Sequence, residues 1–212
     1  MKSTKPPKLI VVTSRKGGVG KSTISCHLSV CAGPGAVLID TDAQADEGSC
    51  ATWMHARSAQ TPRFYSFADY KQNGIERLMA QAQIDGATYV IVDTAPRADA
   101  EIAGLMQRAS VNIVVTEPSF LALSALPRSL SIAQAAGKPI VIAINKVKAQ
   151  RLEAVQAREA LAEIGVPVFE FSDLTDYARA LASGKAVHEF SPKGKAAEQI
   201  RALWSQIEKE IA

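Results

Sequence analysis

The chain has 212 residues, of which 47% are apolar and 21% charged, and its 24 Lys and Arg exceed its 21 Asp and Glu by +3. This composition excludes a disordered or fibrous chain, and the length predicts one domain over residues 1–212 with a single buried core. So small a positive surplus does not indicate a dedicated nucleic-acid-binding protein, although a local basic patch remains compatible with it.

The charges are unevenly distributed along the chain. Residues 1–39 carry six Lys or Arg and no acid, whereas residues 40–105 carry five against ten acids. Residues 1–8 form a basic tail with no signal-peptide pattern, and no apolar run reaches the roughly 20 residues of a membrane span. We therefore expect a cytoplasmic protein that holds an anionic ligand near its N-terminus, with carboxylates and a metal ion opposite.

Three cysteines, Cys26, Cys31 and Cys50, show no CxxC spacing. An odd number without paired spacing argues against a disulfide framework and favours a reducing compartment. The histidines His27, His55 and His188 are scattered, and the grouping of Cys26, His27 and Cys31 on one predicted helix is accidental, so we expect no zinc site. We expect the three thiols to be structural.

Short apolar runs alternate with amphipathic stretches of helical length. The runs are rich in Val and Ile and predict buried parallel strands over 9–13, 36–39, 89–92, 111–115, 140–144 and 166–169. Helices are predicted over 21–32, 75–83, 100–107, 121–136, 150–164 and 175–183. This alternation predicts an α/β fold, with a mostly parallel twisted sheet, helices on both faces and ligands at the carboxyl ends of the strands.

The last predicted helix covers residues 196–212 and is amphipathic. Its apolar positions fall on one face, at Ile200, Leu203, Trp204, Ile207 and Ile211. The polar positions carry both signs of charge, whereas a membrane-surface helix is typically rich in Lys and Arg there. We expect this helix to dock onto the domain's own core.

The stretch SRKGGVGKST, residues 14–23, lies between the first predicted strand and the first predicted helix. Gly17, Gly18 and Gly20 permit a tight turn whose N–H groups face a polyphosphate. Lys21 would reach the β and γ phosphates, and Ser22 would offer its hydroxyl to Mg²⁺. The chain is therefore predicted to be a P-loop NTPase. Its loop contacts to the nucleotide would come from Lys16, Gly17, Gly18, Val19, Gly20, Lys21, Ser22 and Thr23.

This loop departs from the ordinary P-loop pattern at two positions. Arg15 stands where the first glycine is usual, and a second lysine, Lys16, precedes the Gly-Gly pair. The sequence KGGVGKS resembles the deviant Walker A motif of the ParA and MinD family of P-loop ATPases. The resemblance implies that Lys16 reaches across an ATP-sandwiched homodimer to the partner's phosphates, where its charge acts somewhat like an arginine finger.

Two acidic segments agree with this resemblance. In VLIDTDAQ, residues 37–44, Asp40 and Asp42 point to one side of an extended backbone, because alternate residues share a face. The segment resembles the family's DxDPQ motif, with Ala43 in place of Pro. The resemblance implies that Asp40 lies near Mg²⁺ and that Asp42 positions the attacking water, so that Lys16, Lys21 and Asp42 form the catalytic set.

The second acidic segment is YVIVDTAP, residues 89–96, an apolar strand that ends in Asp93. It resembles a Walker B motif, in which Asp93 would hold Mg²⁺ through water and complete a metal set of Ser22, Asp40 and Asp93. The alternative role for an Asp at a strand end is a helix N-cap. Residues 94–97 would then form a second switch.

Two later segments extend the resemblance to about residue 190. Asn145-Lys146 resembles the family's adenine-contacting Asn, and an ordinary turn at the strand end is the alternative. FSDLTDYARALASGKAVHEF, residues 171–190, is similar to the family's late segment.

The closest resemblance is to short ParA-type partition ATPases that lack an N-terminal DNA-binding domain. It implies a slow, partner-stimulated ATPase with Mg²⁺ that dimerises on ATP, binds nucleoid DNA non-specifically and positions a plasmid, chromosome or protein cargo through a ParB-like or cargo-adaptor partner. Candidate DNA contacts are Arg179, Lys193 and Lys195, although a solvated face would explain them equally well. A MinD-like membrane-surface ATPase and a metal-insertion ATPase are the alternatives, disfavoured by the mixed-charge last helix and by the cysteine spacing.

Overall fold

A computed structural model describes residues 5–42, 49–97 and 99–212. The strands are β1 (Lys8–Thr13), β2 (Ala36–Asp40), β3 (Arg63–Tyr65), β4 (Tyr89–Asp93), β5 (Val111–Thr116), β6 (Ile140–Val147) and β7 (Val168–Ser172). The helices are α1 (Lys21–Cys31), α2 (Ser49–Ala56), α3 (Phe67–Ile84), α4 (Ala100–Arg108), α5 (Phe120–Ala135), α6 (Leu152–Ala162), α7 (Thr175–Ala182), α8 (Val187–Phe190) and α9 (Lys195–Ile211).

The strands form one sheet in the order β3-β2-β4-β1-β5-β6-β7, and every pair of neighbours is parallel. Alternate side chains of β1 point to opposite faces of the sheet and contribute to two separate hydrophobic cores. Ile10 and Val12 pack with α1, α2, α7, α8 and α9, whereas Leu9 and Val11 pack with α3, α4, α5 and α6. The predicted α/β domain with helices on both faces of a parallel sheet is confirmed.

The order of the strands places a topological switch point next to β1. Strand β1 lies between β4 and β5, so the connections that follow β1 and β5 leave toward opposite edges of the sheet. Parallel sheets bind ligands at such a switch point, outside the carboxyl ends of the strands. The glycine-rich loop 14–20 leaves β1 there.

Helix α9 docks as predicted. Ile200, Leu203 and Ile207 are fully buried, and the helix packs against α1, α8, β5 and β7. Its apolar face is therefore occupied by the domain's own core. Among the described residues, no helix is both long enough and apolar enough to cross a membrane.

The structure differs from the predicted elements at several places. The last strand runs over Val168–Ser172 rather than 166–169, because Pro167 has no N–H to donate and the pairing of strand residues begins after it. Helix α3 begins at Phe67 rather than 75, since a Ser66–Asp69 capping box starts it and the chain kinks at Gly74. Strand β3 and helices α2 and α8 were not predicted. Strand β3 and helix α8 have only three and four residues, too few for a periodic pattern.

Candidate functional site

The loop between β1 and α1 has a backbone that only glycine adopts readily. Gly18 and Gly20 have φ angles of 74° and 97°, in the left-handed region. A Cβ on Gly20 would lie 2.0 Å from the Nδ2 atom of Asn145, so a side chain there is excluded on two grounds. Val19 is fully buried and anchors the loop to the core.

This loop opens onto a cavity of about 330 Å³. Its walls include Gly17, Gly18, Gly20, Lys21, Ser22, Thr23, Asp42 and Pro96. Backbone N–H groups of such a loop and the N-terminus of the following helix attract phosphate groups. The structure thus brings most of the predicted loop contacts to one cavity, whereas Val19 and Lys16 do not line it.

Lys21 is buried at the head of α1 and faces acidic side chains. Lys21 is only 6% exposed to solvent. Burial lowers the pKa of Lys21, while the negative charges of Asp93, Asp42 and Asp40 act in the opposite direction. A cation held in a buried cavity beside carboxylates is well placed to bind a polyanion that carries its own metal ion.

Asp40 and Asp93 end neighbouring strands and lie directly opposite each other in the register of β2 and β4. Burial raises the pKa of Asp40 to about 6 and also raises that of Asp93, which Ser22, Lys21 and Ser25 partly offset. Oxygen donors from Ser22 and these two carboxylates suit Mg²⁺. The predicted metal residues therefore converge, and their chemistry fits the ion.

Asp93 is not a helix cap. The Ser25 hydroxyl donates to its Oδ1 at 3.0 Å and the Cys50 thiol approaches its Oδ2 at 3.4 Å. Helix α4 is instead capped by Asp99, whose side chain accepts the N–H of Ile102. The N-cap alternative is therefore wrong.

Asp42, from the segment that resembles DxDPQ, and the predicted switch 94–97 flank the cavity. Asp42 lines it, and its N–H donates to Asp40 Oδ1 at 3.0 Å. Ala43 and the residues up to 48 lie outside the described structure. On the other side, Thr94 donates its hydroxyl hydrogen to the Val12 carbonyl at 2.9 Å, and Pro96 comes within 3.9 Å of a Cβ built on Gly17. Their response to nucleotide stays a prediction.

Lys16 points away from the phosphate cavity. Its Nζ donates to Glu117 Oε1 at 2.5 Å and to the Ser119 hydroxyl at 3.3 Å, both just after β5. The second oxygen of Glu117 accepts from Lys146 at 3.2 Å, and Lys146 also donates to the Gly18 carbonyl at 2.6 Å. Sequence reasoning missed Glu117, although an acid directly after a strand of this sheet is the available signal.

Asn145 stabilises the glycine-rich loop by a hydrogen bond to its backbone. Its Nδ2 donates to the Val19 carbonyl at 2.9 Å, and the residue is 8% exposed. It lies within β6 rather than in a turn, so the turn alternative is wrong. The structure shows Asn145 and Lys146 bound to the loop backbone, and a contact to adenine stays a prediction for both.

Residues 184–190 are hydrogen-bonded to the end of helix α2. Arg57, just beyond α2, donates to both oxygens of Glu189 at 2.7 Å and to the Gly184 carbonyl at 3.0 Å. A Cβ on Gly184 would lie 2.1 Å from the Ala56 carbonyl oxygen, so the glycine permits this close approach. Arg57 was not predicted, because its partners lie far away in the sequence.

The three candidate DNA contacts lie on the surface. Arg179 belongs to α7, Lys195 begins α9, and Lys193 precedes it; all three are exposed. Their contact with DNA stays a prediction.

A glycine-rich loop at the switch point of a parallel sheet, with a buried lysine and two strand-end carboxylates, defines a P-loop nucleotide-binding protein. More narrowly, residues 10–187 match the family described as the CobQ/CobB/MinD/ParA nucleotide binding domain, and the chain belongs to this family. No curated protein sequence matches the chain.

Solved structures of similar fold cover nearly the whole chain. Apo McdA from Cyanothece is 15% identical over 97% of this chain and 99% of its own, with a TM-score of 0.73. The septum site-determining protein MinD from Pyrococcus horikoshii, complexed with Mg-ADP, is 16% identical over 96% of each chain, with a TM-score of 0.75. A putative plasmid partition protein from Borrelia burgdorferi, bound to AMPPNP, is 17% identical over 96% and 98%, with a TM-score of 0.66.

Proposed function

We propose that the chain is a ParA-like ATPase that binds ATP with Mg²⁺, dimerises around the nucleotide and positions a cargo on DNA. One observation carries the proposal. Lys16 stands beside the phosphate cavity yet outside it, and its ammonium group rests on Glu117 rather than on any group of the cavity. A lysine so placed is available to the phosphates of a second subunit facing this edge.

Each remaining site residue has a defined part in this proposal. Lys21 neutralises the β and γ phosphates, and Ser22 with Asp40 and Asp93 holds Mg²⁺, which supplies charge neutralisation at the phosphates when bound. Asp42, at the cavity wall, orients the attacking water. Lys16 of the partner would supply positive charge to the transferring phosphoryl group, as other trans-acting cations do.

DNA is the proposed surface on which the dimer acts. Arg179, Lys193 and Lys195 are exposed near the ends of α7 and α9, and dimerisation doubles the number of such cations in one particle. Binding of this kind is electrostatic and weakens steeply with added salt. The buried apolar face of α9 argues against a membrane-anchoring role for that helix.

Light scattering after size-exclusion chromatography tests the first part of the proposal. We expect the chain to be monomeric with ADP and dimeric with a non-hydrolysable ATP analogue. Lys16→Gln should retain nucleotide binding by calorimetry but lose the dimer or its hydrolysis. A Lys16→Gln protein that dimerises and hydrolyses ATP normally would contradict the role across subunits.

Co-sedimentation tests the second part. The ATP-bound chain is incubated with linear DNA or with anionic liposomes, each at low and high salt, and the ADP-bound chain serves as control. We expect ATP-dependent, salt-sensitive recovery with DNA. Recovery with liposomes alone would favour the MinD-like alternative, and DNA retention that is unaffected by salt would exclude Arg179, Lys193 and Lys195 as electrostatic contacts.

A further inference from the structure

Two thiols and two carboxylates meet directly behind the phosphate loop. Cys26 comes from α1, Cys50 from α2, Asp40 from β2 and Asp93 from β4. All four residues are at most 2% exposed. One ligand atom from each of Asp40, Cys50 and Asp93 lies within 4.8 Å of the other two, and Cys26 Sγ lies 3.6 Å from Cys50 Sγ.

Two spacings within this cluster match those of a tetrahedral metal site. Bonds of about 2.3 Å to sulfur and about 2.0 Å to oxygen place two thiolates about 3.8 Å apart, and a thiolate and a carboxylate oxygen about 3.5 Å apart. The corresponding distances here are 3.6 Å between the two sulfur atoms and 3.4 Å between Cys50 Sγ and Asp93 Oδ2. Each of these two spacings lies within about 0.2 Å of its tetrahedral value. Cys26 is outside the group of three mutually close ligand atoms and joins the cluster through Cys50.

The surroundings hold this geometry in place. The Ser25 hydroxyl donates to Asp93 Oδ1 at 3.0 Å, which leaves Oδ2 facing Cys50. Asp40 is fixed in turn by the N–H of Asp42. Outer-shell hydrogen bonds of this kind orient metal ligands in known sites. An ion can also enter, because Cys26 forms part of the wall of the solvent-accessible cavity.

We propose that Cys26, Cys50, Asp40 and Asp93 bind a thiolate-preferring divalent cation of the Zn²⁺ class. Both thiol protons leave to solvent as the ion binds. The liganded site then has the same formal charge as a zinc ion held by four cysteinates, and Lys21 lies close enough to interact with its carboxylates. Thiolates select Zn²⁺ over Mg²⁺, so this site differs in chemistry from the all-oxygen Mg²⁺ site.

Binding at this cluster does not depend on the proposed ATPase function, but it has a consequence for it. Asp40 and Asp93 are shared with the proposed Mg²⁺ site, and one carboxylate pair cannot serve both ions in these positions. Bound Zn²⁺ should therefore antagonise Mg-ATP at this cavity.

Cobalt is the probe that tests the site, in the absence of nucleotide. Co²⁺ bound to thiolate gives a sulfur-to-cobalt charge-transfer band and intense visible bands when tetrahedral. We expect both to saturate at one equivalent and to disappear on adding Zn²⁺. Cys26→Ser and Cys50→Ser should each weaken Co²⁺ affinity more than about tenfold, since even outer-shell changes cost that much. The matched control is Cys31→Ser, on α1 but outside the cluster, which should bind normally.

A measurement on the unaltered chain guards against variants that fail to fold. Zinc-edge X-ray absorption should show two sulfur ligands and two oxygen ligands. Absence of sulfur from that spectrum, absence of the cobalt charge-transfer band, or its loss in Cys31→Ser with retention in Cys26→Ser and Cys50→Ser, would overturn the proposal. Because no nucleotide is present, these outcomes are independent of whether the chain hydrolyses ATP.

Discussion

Glu117 restrains the lysine that the proposed mechanism needs in the partner subunit. Its carboxylate accepts hydrogen bonds from Lys16 at 2.5 Å and from Lys146 at 3.2 Å. Burial alone would raise the pKa of Glu117, but the hydrogen bonds and charges of the two lysines together hold it below its ordinary value. The group is therefore ionised at neutral pH, and Lys16 must leave it before reaching another subunit.

The size of this restraint follows from the exposure of the pair. The Lys16 and Glu117 side chains are 31% and 17% exposed, so water screens their attraction only in part. An ion pair of this kind contributes about 1 kcal/mol, near the upper limit for exposed pairs. That energy changes an equilibrium about fivefold. Because two lysines are released per dimer, Glu117→Gln should tighten ATP-dependent dimerisation by about 25-fold.

Analytical ultracentrifugation with a non-hydrolysable ATP analogue measures the dimer dissociation constant directly. Glu76→Gln is the matched control, because it makes the same substitution in an exposed ion pair with Arg108, far from the cavity. It should leave the dissociation constant unchanged. If Glu117→Gln has the same dissociation constant as the unaltered chain, or a weaker one, the restraint does not exist and the reasoning fails.

Three further predictions concern stability. Gly20→Ala places a methyl group against Asn145 and should destabilise the fold by about 1–3 kcal/mol in urea, more than Gly33→Ala, which has a similar φ but open space. Arg57→Ala removes a buried guanidinium and leaves the buried Gly184 carbonyl without its donor, so it should cost about 1–3 kcal/mol, whereas Arg63→Ala, in an exposed pair, should cost under about 1 kcal/mol. Burial lowers the pKa of His27 to about 3, so the unfolded chain takes up a proton first as pH falls below about 6.5. His27 should therefore destabilise the fold by about 2 kcal/mol between pH 7.5 and 5, while Asp40, whose pKa is raised to about 6, acts in the opposite direction. Over this range His27→Asn should gain about 2 kcal/mol relative to the unaltered chain; an unchanged pH dependence would contradict the reasoning.

Features that depend on a local sequence pattern were predictable from the sequence. The strands that carry the site are unbroken Val and Ile runs buried on both faces, and the loop after β1 has its glycines and lysines adjacent in the chain. Asp40 and Asp93 follow from the same logic, because each ends a strand of one parallel sheet. Local pattern and sheet geometry together were sufficient to locate these groups.

Features that depend on contacts between distant residues were not predictable. Lys16 and Glu117 are 101 residues apart, and Arg57 and Glu189 are 132 apart. Cys26 and Cys50 were expected to be structural thiols because their spacing matches no motif, yet the fold brings their sulfur atoms within 3.6 Å. Such pairs depend on how α2 and the loop after β5 settle against the sheet, which periodicity alone does not specify.

The docking of α9 has a consequence for the order in which the chain matures during synthesis. Helix α1, which presents Lys21 and Ser22, is made early, whereas α9, which packs against it, is made much later. The α9 side chains that complete this face of the core include Ile200, Leu203 and Ile207. A nascent chain from which α9 has not yet emerged therefore lacks the side chains that cover the apolar face of its nucleotide-binding helix.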